Sequence, residues 1–171
     1  MSEIISIFTA PASRQPMLSH DAVQVKQGQG IVGDRYYRAR LPRTATTSSQ
    51  TIVRRNTPNA INHITFIEEE ALALFNQELG LCVQAAALRR NLLTRGVRLN
   101  ALVGQTFSVG DIMVRGIELS EPCAVIGQLL QTQTISATTI IKSLHLRGGL
   151  RAEILSSGII RTGNHISTDI Q

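Results

Sequence analysis

The segment QTFSVGDIMVRGIELS, residues 105 to 120, most narrows what this chain can fold into. Phe107 and Val109 alternate with polar residues, Gly110-Asp111 offer a tight turn, and Ile112, Val114 and Ile117 resume the apolar pattern. Two alternating runs joined by a short turn of this chemistry specify an antiparallel hairpin. Similar short runs recur. In EIISIFTAP, Ile5 and Ile7 alternate in a β-branched stretch that ends at Pro11, and Ala22 to Lys26 is a brief strand entering a glycine-rich turn. Ile64 and Phe66 alternate before the period lengthens: Ala71, Leu72, Leu74, Phe75 and Leu79 fall at helical spacing behind Glu68, Glu69 and Glu70, with Gly80 as a stop. AVIGQLLQT and SATTIIKSLH read as short helices, and the C-terminal LRAEILSSGIIRTGNHISTDI as two or three strands around Gly158 and Gly163. Many short strands, few helices and no internal repeat predict a mainly β, barrel-like single domain over residues 1–171, with no alternation of βαβ units. One stretch breaks the pattern. Residues 38 to 60 are basic, rich in Ser and Thr and almost without apolar periodicity, which predicts a long loop inside the domain.

At 171 residues the chain can bury a substantial core. Aromatics make up only 4 % of it and tryptophan is absent, so that core must be built from Ile, Leu, Val and Ala. Seventeen Lys and Arg against twelve acids give a formal charge of +5, which suits a partner carrying phosphate or carboxylate. Nucleic acid is a weak choice of partner, because so few aromatics leave few platforms for stacking bases. The two cysteines lack the spacing of a zinc site or a disulfide framework and fit a reducing cytoplasm. The N-terminus MSEIISIFTA has no basic segment of the kind that opens a signal peptide, and no apolar run approaches the ~18 residues needed to span a membrane.

Four places could carry chemistry. In LSEPCAV, Ser120 is a good N-cap and Pro122 suits a first turn, which would set Cys123 at a helix start, where N–H groups favour a thiolate. A buried, inert cysteine is the competing reading there, and the favoured one for Cys82. In GQGIVGDRYY, the spacing of Gly28, Gly30 and Gly33 imitates a dinucleotide fingerprint, yet no apolar helix follows, so an anion-holding turn at Gly33-Asp34-Arg35 or a plain turn is expected instead. Arg89, Arg90 and Asn91 gather two guanidinium groups and an amide, suited to oxyanions or to a solvated face. Arg147 precedes Gly148-Gly149, where glycine would admit a ligand close to the backbone or make a tight turn. His20, His63, His145 and His165 are scattered without metal-binding spacing.

In this order, GIVGDRYY, ITFIEEEAL, RRNLLTRGVRLNALVGQTFSVGDIMVRG, LSEPC and RGGLRAEILSSGIIRTG together resemble the MOSC domain family over roughly residues 3 to 168, in its small stand-alone bacterial form. The resemblance implies a β-barrel fold and a site for a molybdopterin-type molybdenum cofactor. Members include sulfur-handling domains of cofactor sulfurases and molybdenum enzymes that reduce N-hydroxylated compounds. Cys123 matches the family cysteine, implied either to bind molybdenum or to accept a persulfide sulfur. Gly33, Asp34, Arg35, Arg89, Arg90, Asn91, Arg147 and Gly148 match positions implied to hold the anionic pterin, with Asp34 orienting an arginine. The implied partners are an external electron-donor protein or a cysteine desulfurase, and a nucleic-acid binder using residues 35 to 55 ranks last. Gly163-Asn164 departs from the glycine-aspartate usual in the family, a change of no consequence if the residue only makes a turn.

Overall fold

The computed structural model describes residues 1–37 and 63–168, so the expected basic loop of residues 38–60 lies outside the described residues. Eleven strands are described: β1 (Glu3–Thr9), β2 (Leu18–His20), β3 (Ala22–Lys26), β4 (Gly30–Ile31), β5 (Ile64–Glu68), β6 (Leu92–Arg95), β7 (Thr106–Val109), β8 (Ile112–Leu119), β9 (Leu150–Ile154), β10 (Gly158–Arg161) and β11 (Ile166–Ser167). Three α-helices join them, α1 (Glu69–Leu79), α2 (Ala124–Leu130) and α3 (Ala137–Leu144), with 3₁₀ turns at Ala85–Leu88 and Leu99–Leu102.

The larger sheet runs β11-β7-β8-β9-β5-β6-β1-β2. Its ends meet. One edge of β1 pairs with β2 through Ile7, Phe8 and Thr9, while the start of β1 reaches β11. There Glu3 bridges His165, the Ile4 N–H donates to Asn164 O at 3.0 Å and the Ile166 N–H donates to Ser2 O at 2.8 Å. Closing the sheet in this way satisfies edge N–H and C=O groups that would otherwise lie open to another chain. The barrel interior holds Ile4, Ile7, Ile64, Phe66, Leu92, Phe107, Val114, Leu150 and Ala152, and Phe66 meets Phe107 edge-on at 5.8 Å. A second sheet, β10-β3-β4, contributes Val23, Val25, Ile31 and Ile160 to the same core.

The predicted hairpin is present, with Val109 opposite Ile112 across Gly110-Asp111. The predicted helix is α1, stopped by Gly80 in the left-handed conformation. Alternation at β1 is corrected. A bulge between Ile4 and Ser6 shifts the register, so Ile4 and Ile7 face the core while Ile5 packs outward. The expected lack of βαβ alternation holds apart from one such unit, in which β5 and β6 are parallel and α1 is their crossover. This explains why β5 is apolar on both faces: Ile64 and Phe66 enter the barrel, whereas Ile67 joins Leu72, Phe75, Leu93, Ile126, Ile140 and Leu144 beneath the three helices. Among the described residues no helix is long and apolar enough to cross a membrane.

Candidate functional site

The helix layer and the loops beside it enclose a cleft of about 860 Å³. Its walls come from the loop after β1 (Pro11 to Arg14), the turn at Arg35-Tyr36, the segment Arg89-Arg90 before β6, β9 at Arg151, and the entry into α2 at Cys123. Among the described residues, Arg14, Arg35, Arg89, Arg90 and Arg151 line it against a single acid, Glu121. Five guanidinium groups around one cavity create a strongly positive field, and such a field is matched by an anion.

Arg89 and Arg90 are adjacent in sequence and do different things. Arg89 sits beyond the 3₁₀ turn Ala85–Leu88 with a φ of 58°, a left-handed conformation that is costly for a side chain of this size. Its Nη1 donates to Gln15 O at 2.9 Å, but its Nη2 is buried with no hydrogen-bond partner among the described residues. Burial, and then the charge of Arg35, hold its pKa below the ordinary arginine value. A buried donor left unpaired costs free energy that an incoming oxyanion would recover. Arg90 is instead fully committed to the fold. Its Nε donates to Gly148 O at 2.7 Å, its Nη2 to Ser120 O at 2.9 Å and its Nη1 to Leu88 O at 3.3 Å. Three carbonyls from three chain segments are thereby tied together, and among the described residues no carboxylate pairs with this guanidinium. Its pKa is pushed down to about 10, by burial first and by Arg151 second, whereas Cys123 and Tyr36 act in the opposite sense.

Asn91 and Asp34 form a buried network behind the cleft. The Asn91 Oδ1 accepts from the Thr65 N–H at 3.0 Å and from the Thr65 hydroxyl at 2.9 Å, and its Nδ2 donates to Phe8 O at 3.1 Å and to Asp34 Oδ1 at 3.3 Å. The Asp34 carboxylate also accepts from the N–H groups of Ala10 at 3.0 Å and Tyr36 at 3.1 Å. Among the described residues Asp34 hydrogen-bonds no arginine; it anchors the backbone that carries Arg35, and its charge acts on Arg89. Gly33, with a φ of 85°, supplies the left-handed step of that turn. Arg35 itself lies over the Tyr36 ring, 4.6 Å from its centroid.

Arg147 is elsewhere. Its Nη1 donates to both carboxylate oxygens of Glu78 at 2.9 Å, and it borders a smaller cavity with Glu68, Arg98 and Asn100. Gly148 and Gly149 serve close packing of the chain against itself, not of a ligand. A Cβ at Gly148 would fall 2.1 Å from Ser120 O, and one at Gly149 would overlap Phe66 O. The residue of this segment that does line the cleft is Arg151, whose Nη1 donates to Glu118 at 2.9 Å. Strand alternation was the available signal, since Leu150, Ala152 and Ile154 point inward and leave Arg151 on the outer face.

Cys123 is exposed at the cleft. It is the N-cap of α2, with extended backbone (φ −108°, ψ 169°) and a thiol that makes no capping bond, so the expected start at Ser120 is corrected by three residues. Ser120 is instead buried, held between Arg90 and the carbonyl of Gly149. Cys82, expected in the core, is also exposed. In the link after α1 its neighbours Leu81 and Val83 pack under the helices, and the extended chain turns Cys82 the other way. The Asn164 side chain makes a turn, its Oδ1 accepting from the Arg161 N–H at 2.7 Å, while its carbonyl accepts from the Ile4 N–H across the β1–β11 junction.

A closed β-barrel, one crossover helix and a cysteine at the mouth of an arginine-lined cleft define the class, and the MOSC domain profile matches residues 56–167. The chain belongs to the MOSC domain family. Among solved structures it is similar to the YuaD protein from Bacillus subtilis, with a TM-score of 0.77 at 16 % identity, covering 97 % of this chain and 94 % of that one. It is also similar to YiiM from Geobacillus stearothermophilus (TM-score 0.68, 16 % identity, 98 % and 74 % covered) and YiiM from Escherichia coli (0.64, 14 %, 100 % and 71 %). At these identities the likeness is one of fold. No curated protein matches the sequence.

Proposed function

We propose that this MOSC domain binds a molybdopterin-type cofactor in the arginine-lined cleft and reduces N-hydroxylated compounds, with electrons delivered by an external donor protein. The observation that carries the reading is the buried Nη2 of Arg89, unpartnered among the described residues, beside a cleft where the described arginines outnumber acids five to one. Molybdopterin ends in a phosphate and carries a dithiolene. Arg89 and Arg35 suit the phosphate, since guanidinium forks match its oxygens, and the exposed Cys123 thiol suits a soft metal. Among the described residues no group of three or more His, Cys, Asp or Glu could cage a metal. None is needed where a dithiolene brings its own sulfurs and the protein adds one. When bound, molybdenum would supply two-electron redox chemistry at the N–O bond. The chain's own contribution is positional: Arg90 ties the Ser120 carbonyl down and so fixes the strand end that leads to Cys123.

The test is the pterin content of protein purified from a cofactor-competent host. Wild type should carry about one pterin per chain, and the double variant Arg35→Gln, Arg89→Gln should lose most of it while staying folded, as charged hydrogen bonds to phosphate are each worth about 1.5–3 kcal/mol. Pterin-free wild type would refute the reading. The exposure of Cys123 also favours a second one, in which the thiol accepts a persulfide sulfur from a cysteine desulfurase without redox turnover. Intact mass before and after mild reduction separates the two, since only the carrier gains a removable sulfur.

A further inference from the structure

The cleft has two faces of opposite character. The arginines form one. The other is α2, where Val125 and Leu129 stand four residues apart, both line the cleft, and are 44 % and 59 % exposed. Residues at this spacing share a helix face. The helix does not lack a core-facing side: Ile126 and Leu130 already pack beneath it with Ile140 and Leu144. Val125 and Leu129 are thus apolar area turned toward the cavity, and they follow directly on Cys123.

Resting on the function proposed above, we infer that Val125 and Leu129 form the wall that selects substrate, and that the preferred class is N-hydroxylated compounds with an uncharged, apolar body. The phosphate-bearing cofactor is drawn to the arginine face, which leaves the α2 face beside Cys123 for the second occupant. An apolar body lying there removes both side chains from water and gains with every methylene it adds. A cationic body gains nothing from this face and is repelled by the arginines. For a hydroxamic acid the reaction consumes two electrons and two protons, breaks the N–O bond, leaves an N–H in its place and releases water, giving the amide. The electrons come from a one-electron donor of the flavin or iron–sulfur class, or from a reduced viologen in an assay.

The experiment uses straight-chain alkyl hydroxamic acids of increasing length as substrates and the matching alkyl amides as ligands that cannot react. Both series are measured on the purified chain and on the double variant Val125→Thr, Leu129→Gln, whose changed residues are exposed and leave the core intact. In wild type, kcat/KM for the acids and affinity for the amides should each rise about two- to fourfold per methylene over the first few carbons. In the variant both slopes should flatten. If no acid is reduced but amide affinity still rises with length and flattens in the variant, the reductase reading fails and the apolar wall stands. A flat amide series in wild type, or a slope the variant leaves intact, overturns the wall, whatever the turnover.

Discussion

At the scale of single residues, neighbours in sequence have unrelated tasks. Arg89, Arg90 and Asn91 are consecutive, yet one has a buried donor with no partner among the described residues, one ties three carbonyls together and one is the hub of a buried amide network. Replacing Asn91 with Leu should cost about 3 kcal/mol or more, because the Thr65 N–H, the Thr65 hydroxyl and Phe8 O each lose a buried partner. Chemical denaturation would show this, and a loss under 1 kcal/mol would mean that the network is not structural. Arg147→Gln should behave oppositely to the changes at Arg35 and Arg89: pterin content should be unchanged, because Arg147 spends its charge on Glu78 outside the cleft. The sequence displayed the arginines and the cysteine plainly. It could not show which arginine faces the cavity, because that depends on partners such as Gly148, 58 residues from Arg90, brought together only by the barrel.

At the scale of elements, alternation and turn chemistry made the β7–β8 hairpin, β3, β5 and α1 legible. What escaped were features that break a period or depend on a distant partner. The β1 bulge slips the apolar face by one residue, so regular alternation through Ile5 and Ile7 points to the wrong pair. The parallel pairing of β5 with β6 leaves only a faint trace, apolar residues on both faces of β5, at Ile64 and Phe66 and at Ile67. The junction of β5 and α1 yields a pH prediction. Glu68 is half-buried there, and burial, opposed by the N–H of Leu99 at 2.6 Å, raises its carboxyl above the ordinary value. A group raised on folding contributes stability that is present below its unfolded pKa and is lost as pH rises through its folded pKa. Glu68→Gln removes that loss. Its Tm relative to wild type should therefore climb as pH is raised from about 4 to 7, and a difference independent of pH would contradict the assignment.

At the scale of the whole molecule, barrel closure and the helix layer set the cleft. β1 bridges β11 and β6 into one closed sheet, α1 spans β5 and β6, and the space between the helix layer and the loops is where the arginines and Cys123 converge. Mainly β architecture could be inferred from short alternating runs. Convergence could be inferred only through the order of motifs along the chain, since no local pattern places Arg35, Arg89 and Cys123 around one cavity. The proposed molybdenum cofactor with Cys123 as a ligand can be checked by the molybdenum content per chain of wild type and Cys123→Ala, prepared side by side from a cofactor-competent host. About one molybdenum per wild-type chain and a large loss in the variant are expected, because the thiolate is the soft ligand the protein would supply. Equal molybdenum in the two proteins would contradict the proposal.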